Sequence, residues 1–132
     1  MRVAEGMNDV VLTVGPAHTL RDVARRMTER KVGAAIVLDA ELPQPGIVTE
    51  RDVLRAVAAD LDLDAERVAD HATMEVMSAA PDWSLEQAAE LMVRGGFRHV
   101  VVVEGAEVAG VLSMRDVVRC WTTEGATSEV GA

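Results

Sequence analysis

Cysteine, aromatic residues and positive charge are all scarce in this 132-residue chain. Cys120 is the single cysteine, so an intrachain disulfide is impossible and the sequence is typical of a cytoplasmic protein. With no tyrosine, two tryptophans and one phenylalanine, the core must be built mainly from aliphatic side chains. The net charge is −9, from 13 basic and 22 acidic residues. Nucleic-acid backbones and anionic membrane surfaces attract basic proteins, so neither is expected as a partner.

Long apolar runs and familiar catalytic motifs are missing as well. No segment approaches the roughly 20 consecutive apolar residues of a transmembrane helix, and the first residues contain no apolar run typical of a signal peptide. The sequence has no P-loop, GxGxxG or HExxH motif, and His18, His71 and His99 lack the context of a catalytic triad. We therefore expect a protein that is neither an enzyme nor a membrane protein.

What the sequence does contain is one pattern written twice. RVAEGMNDVV, which starts at Arg2, is matched by RVADHATMEV, which starts at Arg67. GIVTERDV, from Gly46, is matched by GVLSMRDV, from Gly110. Two copies are too few for a solenoid, so the repetition predicts two similar halves that are related by a pseudo-twofold axis and share one core.

The matches divide the chain into four segments, which are repeat 1 at 2–57, an acidic connector at 58–66, repeat 2 at 67–121 and a flexible C-terminal tail at 122–132. The connector carries Asp60, Asp62 and Asp64 at the spacing that opens a calcium-binding loop. Ala65 stands where such a loop needs its turn glycine. We therefore expect a solvated connector rather than a metal site.

Each repeat is predicted to fold as β-α-β-β-α. Apolar residues at i, i+3, i+4 and i+7 predict one amphipathic helix per copy, with the stripes Leu20, Val23, Ala24, Met27 and Leu85, Ala88, Ala89, Met92. The aliphatic runs AAIVLD and HVVVVE predict strands that are buried on both faces. SLEQ from Ser84 is typical of a capping box, and Gly95 and Gly96 are expected to end that helix. The fold class is therefore α/β, with two halves that cover each other.

The motif at the start of the last helix of each repeat has two interpretations. Thr49-x-x-Asp52 and Ser113-x-x-Asp116 place a hydroxyl at the N-cap and an acid at N3, as a helix cap requires. The same helix start offers free N–H groups to a phosphate, and its carboxylate offers acceptors to a vicinal diol such as ribose. Aspartate is shorter than the Glu or Gln of a reciprocal capping box, so we expect it to close the box less well and to stay available. The residues alone leave both interpretations open.

The doubled plan, with the phrases GIVTERDV, GVLSMRDV, VGAAIVLD and FRHVVVVE, resembles a pair of cystathionine-β-synthase (CBS) domains, or Bateman module, over nearly the whole chain. The resemblance implies a stand-alone regulatory or sensor module that binds adenosine derivatives in two clefts between the repeats. AMP, ADP, ATP and S-adenosylmethionine are the ligands it implies. It also implies a homodimer and a regulated protein partner that is encoded separately.

The same resemblance assigns roles to individual residues. Asp52 and Asp116 match the acid that holds the ribose hydroxyls, and Thr49 and Ser113 match the hydroxyl near the phosphate. The residues that it implies around adenine in the Asp116 cleft are Val32, Gly33 and Ala34, together with the segment 7–9. Those that it implies in the Asp52 cleft are Phe97, Arg98 and His99, together with Ala72, Thr73 and Met74. Two clefts are implied, and we expect the Asp116 cleft to be the one that is filled.

Four basic residues are candidates for phosphate contact. Arg51 and Arg115 directly precede the two aspartates, where they either bind phosphate or lie on a solvated helix face. Arg98 and His99 match a basic pair that contacts phosphates in some members of the family. Their alternatives are an ion pair with a dimer partner for Arg98 and a packed surface position for His99.

We expect no required cofactor. The adenine nucleotide is a ligand, and a triphosphate would need the basic residues or a magnesium ion to offset the acidic surface. The rival hypothesis is a dimeric protein-interaction adaptor without a physiological nucleotide, in which the two motifs are helix caps only.

Overall fold

The computed structural model describes residues 1–131 of the chain, with side chains described as far as Thr123. The residues pack into two compact units, and each is described by itself. Unit one is the continuous segment Val11–Val76, and unit two combines Met1–Val10 with the chain from Met77 onward.

Unit one contains three strands, two helices and one 3-10 turn. In chain order they are β1 (Thr13–Val14), α2 (Leu20–Arg30), β2 (Ala34–Val37), β3 (Gly46–Thr49), α3 (Glu50–Ala58) and the turn Val68–Asp70. The sheet order is β1-β2-β3, with β1 parallel and β3 antiparallel to β2. The predicted stripe is confirmed, because Leu20, Val23 and Met27 are buried against the sheet, while Ala24 is half-buried.

Unit two repeats this arrangement, with a short α-helix in place of the 3-10 turn. Its elements are α1 (Val3–Gly6), β4 (Ser78–Ala79), α4 (Leu85–Gly95), β5 (His99–Glu104), β6 (Glu107–Ser113) and α5 (Met114–Gly131). The sheet order is β4-β5-β6, with the same parallel and antiparallel pairings. All four predicted stripe residues of α4 are buried, and the aliphatic run of β5 fills the core as expected.

The predicted helix ends are confirmed. Ser84 and Gln87 close a reciprocal capping box at the start of α4. Gly96 ends the same helix with a φ of 70°, a left-handed conformation that glycine adopts without steric cost. In unit one Lys31 takes this position at a φ of 57°.

The packing units are not identical to the sequence repeats, because each unit contains the first residues of the other repeat. Val3 is fully buried in the core of unit two, and its N–H donates to the carbonyl of Trp83 at 2.8 Å. Val68 is buried in the core of unit one, and its N–H donates to the carbonyl of His18 at 2.8 Å. The first residues of each repeat therefore stabilise the other unit.

The acidic connector is more ordered than a solvated linker. The carbonyls of Leu63 and Glu66 accept the N–H groups of Arg21 and Leu20, at 3.1 and 3.0 Å, which satisfies two amides at the start of α2. Leu63 packs against the core of unit one, and Asp64 forms an ion pair with Arg21. Among the described side chains no group of three or more His, Cys, Asp or Glu residues could hold a metal ion.

The C-terminal segment also differs from its prediction. Helix α5 continues to Gly131, through most of the stretch 122–132 that we expected to be a flexible tail, while Ala132 lies outside the described residues. The stretch contains no proline and two glycines, Gly125 and Gly131, and a glycine inside a helix weakens it by about 1 kcal/mol without breaking it. No helix in the described part of the chain is long and apolar enough to cross a membrane.

Candidate functional site

In each unit the last strand leads directly into the last helix, and the hydroxyl-x-x-Asp motif lies at this junction. Strand β3 ends at Thr49 and α3 begins at Glu50, while β6 ends at Ser113 and α5 begins at Met114. The extended backbone of Thr49, with φ −123° and ψ 167°, is typical of an N-cap residue. The local sequence therefore creates the same strand-to-helix junction twice.

The capping box at the unit-two junction is closed in both directions. The Ser113 N–H donates to Asp116 Oδ2 at 2.8 Å, and the Asp116 N–H donates to Ser113 Oγ at 3.0 Å. In unit one the Thr49 N–H donates to Asp52 Oδ2 at 2.8 Å, and the box is also closed. The prediction that aspartate closes the box poorly is therefore wrong. At N3 its shorter side chain still reaches the N-cap amide.

The N1 amide of each helix is paired as well. The Glu50 N–H donates to the Gly33 carbonyl at 3.0 Å, and the Met114 N–H donates to the Arg98 carbonyl at 2.8 Å. Three of the first amides at each junction, at the N-cap, N1 and N3 positions, thus have partners inside their own unit. The expectation of a helix start with several free N–H groups is wrong, because the neighbouring strand carbonyl and the cap use them.

The carboxylates keep part of their hydrogen-bonding capacity. The cap uses Oδ2 of both aspartates, so Oδ1 of each is not needed to hold the helix start. Both side chains are half-buried, and so are Thr49 and Ser113. A carboxylate fixed through one oxygen and half-exposed can accept hydroxyl groups from a ligand.

The neighbouring strand in each sheet, β2 in unit one and β5 in unit two, brings further candidate residues to the junction. Ala34 pairs with Thr49 across the sheet, which places Gly33 and Val32 beside the unit-one motif. His99 pairs with Ser113, which places Arg98 beside the unit-two motif. The antiparallel register therefore places small apolar residues beside the motif of unit one and basic residues beside the motif of unit two. Arg98 is exposed and His99 is half-buried.

A third segment lies along the outer edge of the last strand in both units. Asn8 pairs with Val111 through two backbone hydrogen bonds, at 2.9 and 3.0 Å. Thr73 pairs with Ile47 in the same way, with both bonds at 2.9 Å. The segments 7–9 and 72–74, expected from the resemblance to line ligand sites, thus lie beside the last strand of units two and one respectively.

Two glycines permit this close approach. A Cβ on Gly110 would lie 2.7 Å from the Asn8 carbonyl oxygen and 2.9 Å from Met7 Sδ. A Cβ on Gly46 would lie 2.6 Å from Met74 Sδ and 3.0 Å from the Thr73 carbonyl oxygen. The glycine that opens each repeated phrase therefore serves backbone packing.

The arginines of the motifs occupy the outer side of the helix starts. Arg51 and Arg115 are exposed in the first turn of α3 and α5. They carry positive charge near the motif hydroxyls, in a chain that is acidic overall. This position suits contact with an anion and equally suits a solvated helix face.

One residue of the unit-two junction was missed by sequence reasoning. Arg119 Nη2 donates to Asp116 Oδ1 and to the carbonyl of Gly6, both at 3.2 Å. The signal in the sequence was the Asp-x-x-Arg spacing, but Asp52 and Arg55 have the same spacing and form no such pair in the described structure. Spacing alone therefore could not find this contact.

The fold and these junctions define a class of paired α/β repeat modules with one candidate ligand site in each unit. The CBS-domain family model matches the chain twice, over residues 3–59 and 68–122, so the chain belongs to the CBS-domain family.

Several known proteins are similar to the chain over most of its length. The CBS domain protein PAE2072 from Pyrobaculum aerophilum, solved in complex with AMP, is 36% identical with a TM-score of 0.83, and the match covers 96% of this chain and 99% of that one. The hexameric CBS-CP12 protein from bloom-forming cyanobacteria is 27% identical with a TM-score of 0.85, and the match covers 90% and 71%. An uncharacterised 17.7 kDa protein of Acidianus ambivalens is 30% identical over 89% of this chain and 71% of its own length. Other curated relatives are longer, and the chain spans 41% of one and 20% of another.

Proposed function

We propose that the chain is a regulatory module that binds adenine nucleotides, with AMP as the first candidate, at the strand-to-helix junction of each unit. The observation that carries the proposal is the duplicated Asp carboxylate, held by a closed cap through one oxygen, in a chain 36% identical to a protein solved with AMP. The proposed role is binding without catalysis. ADP, ATP and S-adenosylmethionine are further candidates.

Each part of the ligand has proposed partners. Asp52 and Asp116 accept hydrogen bonds from the ribose hydroxyls, and this role suits a carboxylate that is half-buried and already oriented. Thr49 and Ser113 are proposed near the phosphate. The Ser113 hydroxyl accepts the Asp116 N–H, and its own hydrogen stays available for donation.

The remaining candidates fall into two groups. Arg51, Arg115, Arg98 and His99 are proposed as phosphate contacts because they supply positive charge near the junctions. The apolar residues proposed to contact the adenine ring are Val32, Gly33, Ala34 and Met74. A triphosphate would place more negative charge on a chain of net charge −9, so we propose that ATP binds together with magnesium.

We also propose that the module forms a homodimer through the last helix of each unit. Leu54 and Val57 of α3 are 67% and 51% exposed, and Val118 and Trp121 of α5 are 53% and 46% exposed. These apolar pairs occupy matching positions of the two repeats, and exposed apolar surface of this kind marks an interface. The hexameric relative supports self-association. A regulated protein encoded separately and a location in the cytoplasm, where adenine nucleotides are made and consumed, complete the proposal.

A screen for ligand-induced stability tests the proposal. A ligand that binds only the native state raises its stability by about 2.7 kcal/mol at 100 times its Kd. We expect AMP to raise the midpoint of thermal unfolding. The shifts caused by ADP, ATP, S-adenosylmethionine and NAD, compared with that of AMP, show which ligand the protein prefers. If none of the five shifts the midpoint at millimolar concentration, the proposal is wrong.

The adaptor hypothesis is the second candidate, and the closed capping boxes favour it. They give Asp52 and Asp116 a structural role that requires no ligand. An adaptor would keep its partner and its stability in AMP-free buffer and would show no response to any nucleotide in the same screen.

A further inference from the structure

The two carboxylates proposed to hold ribose differ in their side-chain contacts. The Thr49 hydroxyl donates to Asp52 Oδ2 at 3.2 Å, on the oxygen that the cap already uses. The cap occupies Oδ2 of both, but Oδ1 of Asp116 accepts a hydrogen bond from Arg119 at 3.2 Å. In the part of the chain that the structure describes, the guanidinium of Arg55, the matching residue of unit one, forms no such contact with Asp52.

The Arg119 contact also includes the N-terminal segment. The same nitrogen donates to the carbonyl of Gly6, at the end of α1. Gly6 is packed tightly against α5, because a Cβ at this position would lie 3.0 Å from Cys120 Sγ. The Gly6 carbonyl is therefore a fixed acceptor, and it holds the guanidinium next to Asp116.

We propose that Arg119 is a specificity-determining residue, which competes with the ribose diol for Asp116 and makes the two nucleotide sites unequal. The inference rests on the proposed function. A diol places two hydroxyl donors on one carboxylate, so it needs acceptor capacity on both oxygens. In unit two it must displace Arg119 from Oδ1 or share that oxygen, whereas the cap leaves Oδ1 of Asp52 unused.

The strength of the contact sets the size of the effect. The Arg119 side chain is 61% exposed and that of Asp116 is 21% exposed. An exposed ion pair contributes at most about 1 kcal/mol, and its loss changes an equilibrium by up to about fivefold. Arg119 therefore adjusts the affinity of the unit-two site without closing it.

The test measures how strongly the unit-two site distinguishes ribose from deoxyribose. In an Asp52→Asn background, the Kd values for AMP and 2′-deoxy-AMP are measured by calorimetry with Arg119 present and with Arg119→Gln. Both ligands carry the same phosphate, so the loss of positive charge affects both Kd values and cancels in their ratio. We expect Arg119→Gln to raise the ratio of the deoxy-AMP to the AMP Kd by two- to fivefold.

Arg55→Gln in an Asp116→Asn background is the matched control, and its ratio should stay constant. An unchanged or lower ratio for Arg119→Gln overturns the inference. If the Asp52→Asn protein binds no AMP, the Asp52→Asn/Arg119→Gln protein decides the question. AMP binding by that protein supports the inference, and no AMP binding overturns it. If the unsubstituted protein responds to none of the five ligands in the stability screen, the proposed function is refuted, and the inference with it.

Discussion

The two units carry the same motif in different surroundings. In unit one the Thr49/Asp52 junction lies beside Gly33 and Ala34. In unit two the Ser113/Asp116 junction lies beside Arg98 and His99, and Arg119 contacts its carboxylate. The duplicated backbone therefore preserves the cap and the pairing with the neighbouring strand, while the side chains beside each junction differ in charge and size.

We expect the largest difference in stability between the two units from substitution of the glycine that opens each repeated phrase. Gly110→Ala places a Cβ 2.7 Å from a backbone carbonyl oxygen, and Gly46→Ala meets the flexible Met74 side chain first. We expect urea unfolding to show that Gly110→Ala destabilises by about 2–3 kcal/mol and Gly46→Ala by about half as much, since a side-chain end moves more easily than backbone. A larger loss for Gly46→Ala would contradict the unequal packing.

The buried valines Val3 and Val68 test whether the first residues of the two repeats stabilise their units equally. Both are fully buried, each in the core of its own unit. Val3→Ala and Val68→Ala each remove two methyl groups, so each should lower the free energy of unfolding by about 2 kcal/mol. The measurement is chemical unfolding of both variants under the same conditions. If Val3→Ala has no effect, residues 1–10 are not part of unit two.

Single substitutions of the two aspartates separate the two sites. Asp52→Asn and Asp116→Asn retain an oxygen that accepts the N-cap N–H, so each cap survives, but a neutral acceptor binds a diol more weakly. We expect about a tenfold loss of AMP affinity at one site per variant, or about 1.4 kcal/mol. Calorimetric titration would then show one strong and one weakened site per chain. Asp52→Ala and Asp116→Ala should in addition lower stability by up to about 1 kcal/mol, because they remove the carboxylate half of each capping box.

The smallest effect concerns the first helix of each repeat. The capping box of α4 is reciprocal, whereas at α2 the Thr19 hydroxyl accepts the Asp22 N–H and the Asp22 carboxylate contacts His18 and Arg26. Ser84→Ala should therefore cost about 1 kcal/mol and Thr19→Ala slightly less. Thermal unfolding of the two variants measures both losses of stability. A larger loss for Thr19→Ala than for Ser84→Ala would contradict this prediction.

Much of this architecture could be predicted from the sequence. Apolar spacing located α2 and α4, aliphatic runs located β2 and β5, and the repetition showed that both halves share one plan. These features follow from local periodicity, which a sequence displays directly.

What the sequence could not show depends on register and tertiary packing. The pairing of the Glu50 and Met114 amides with carbonyls of the neighbouring strand requires knowledge of which residues face each other. The packing of residues 1–10 into unit two, and the contact of Arg119 with Gly6, join residues that lie far apart in the chain. Local spacing carries no information about any of these contacts.

The central claim is that the two capped aspartates hold an adenine nucleotide, and a titration of AMP into the Asp52→Asn/Asp116→Asn double variant tests it most directly. The account predicts that the unsubstituted chain binds AMP, and that the double variant loses about tenfold in affinity at both sites while its free energy of unfolding stays within about 0.5 kcal/mol. Equal AMP affinity in the two proteins, or no binding by either, would contradict it.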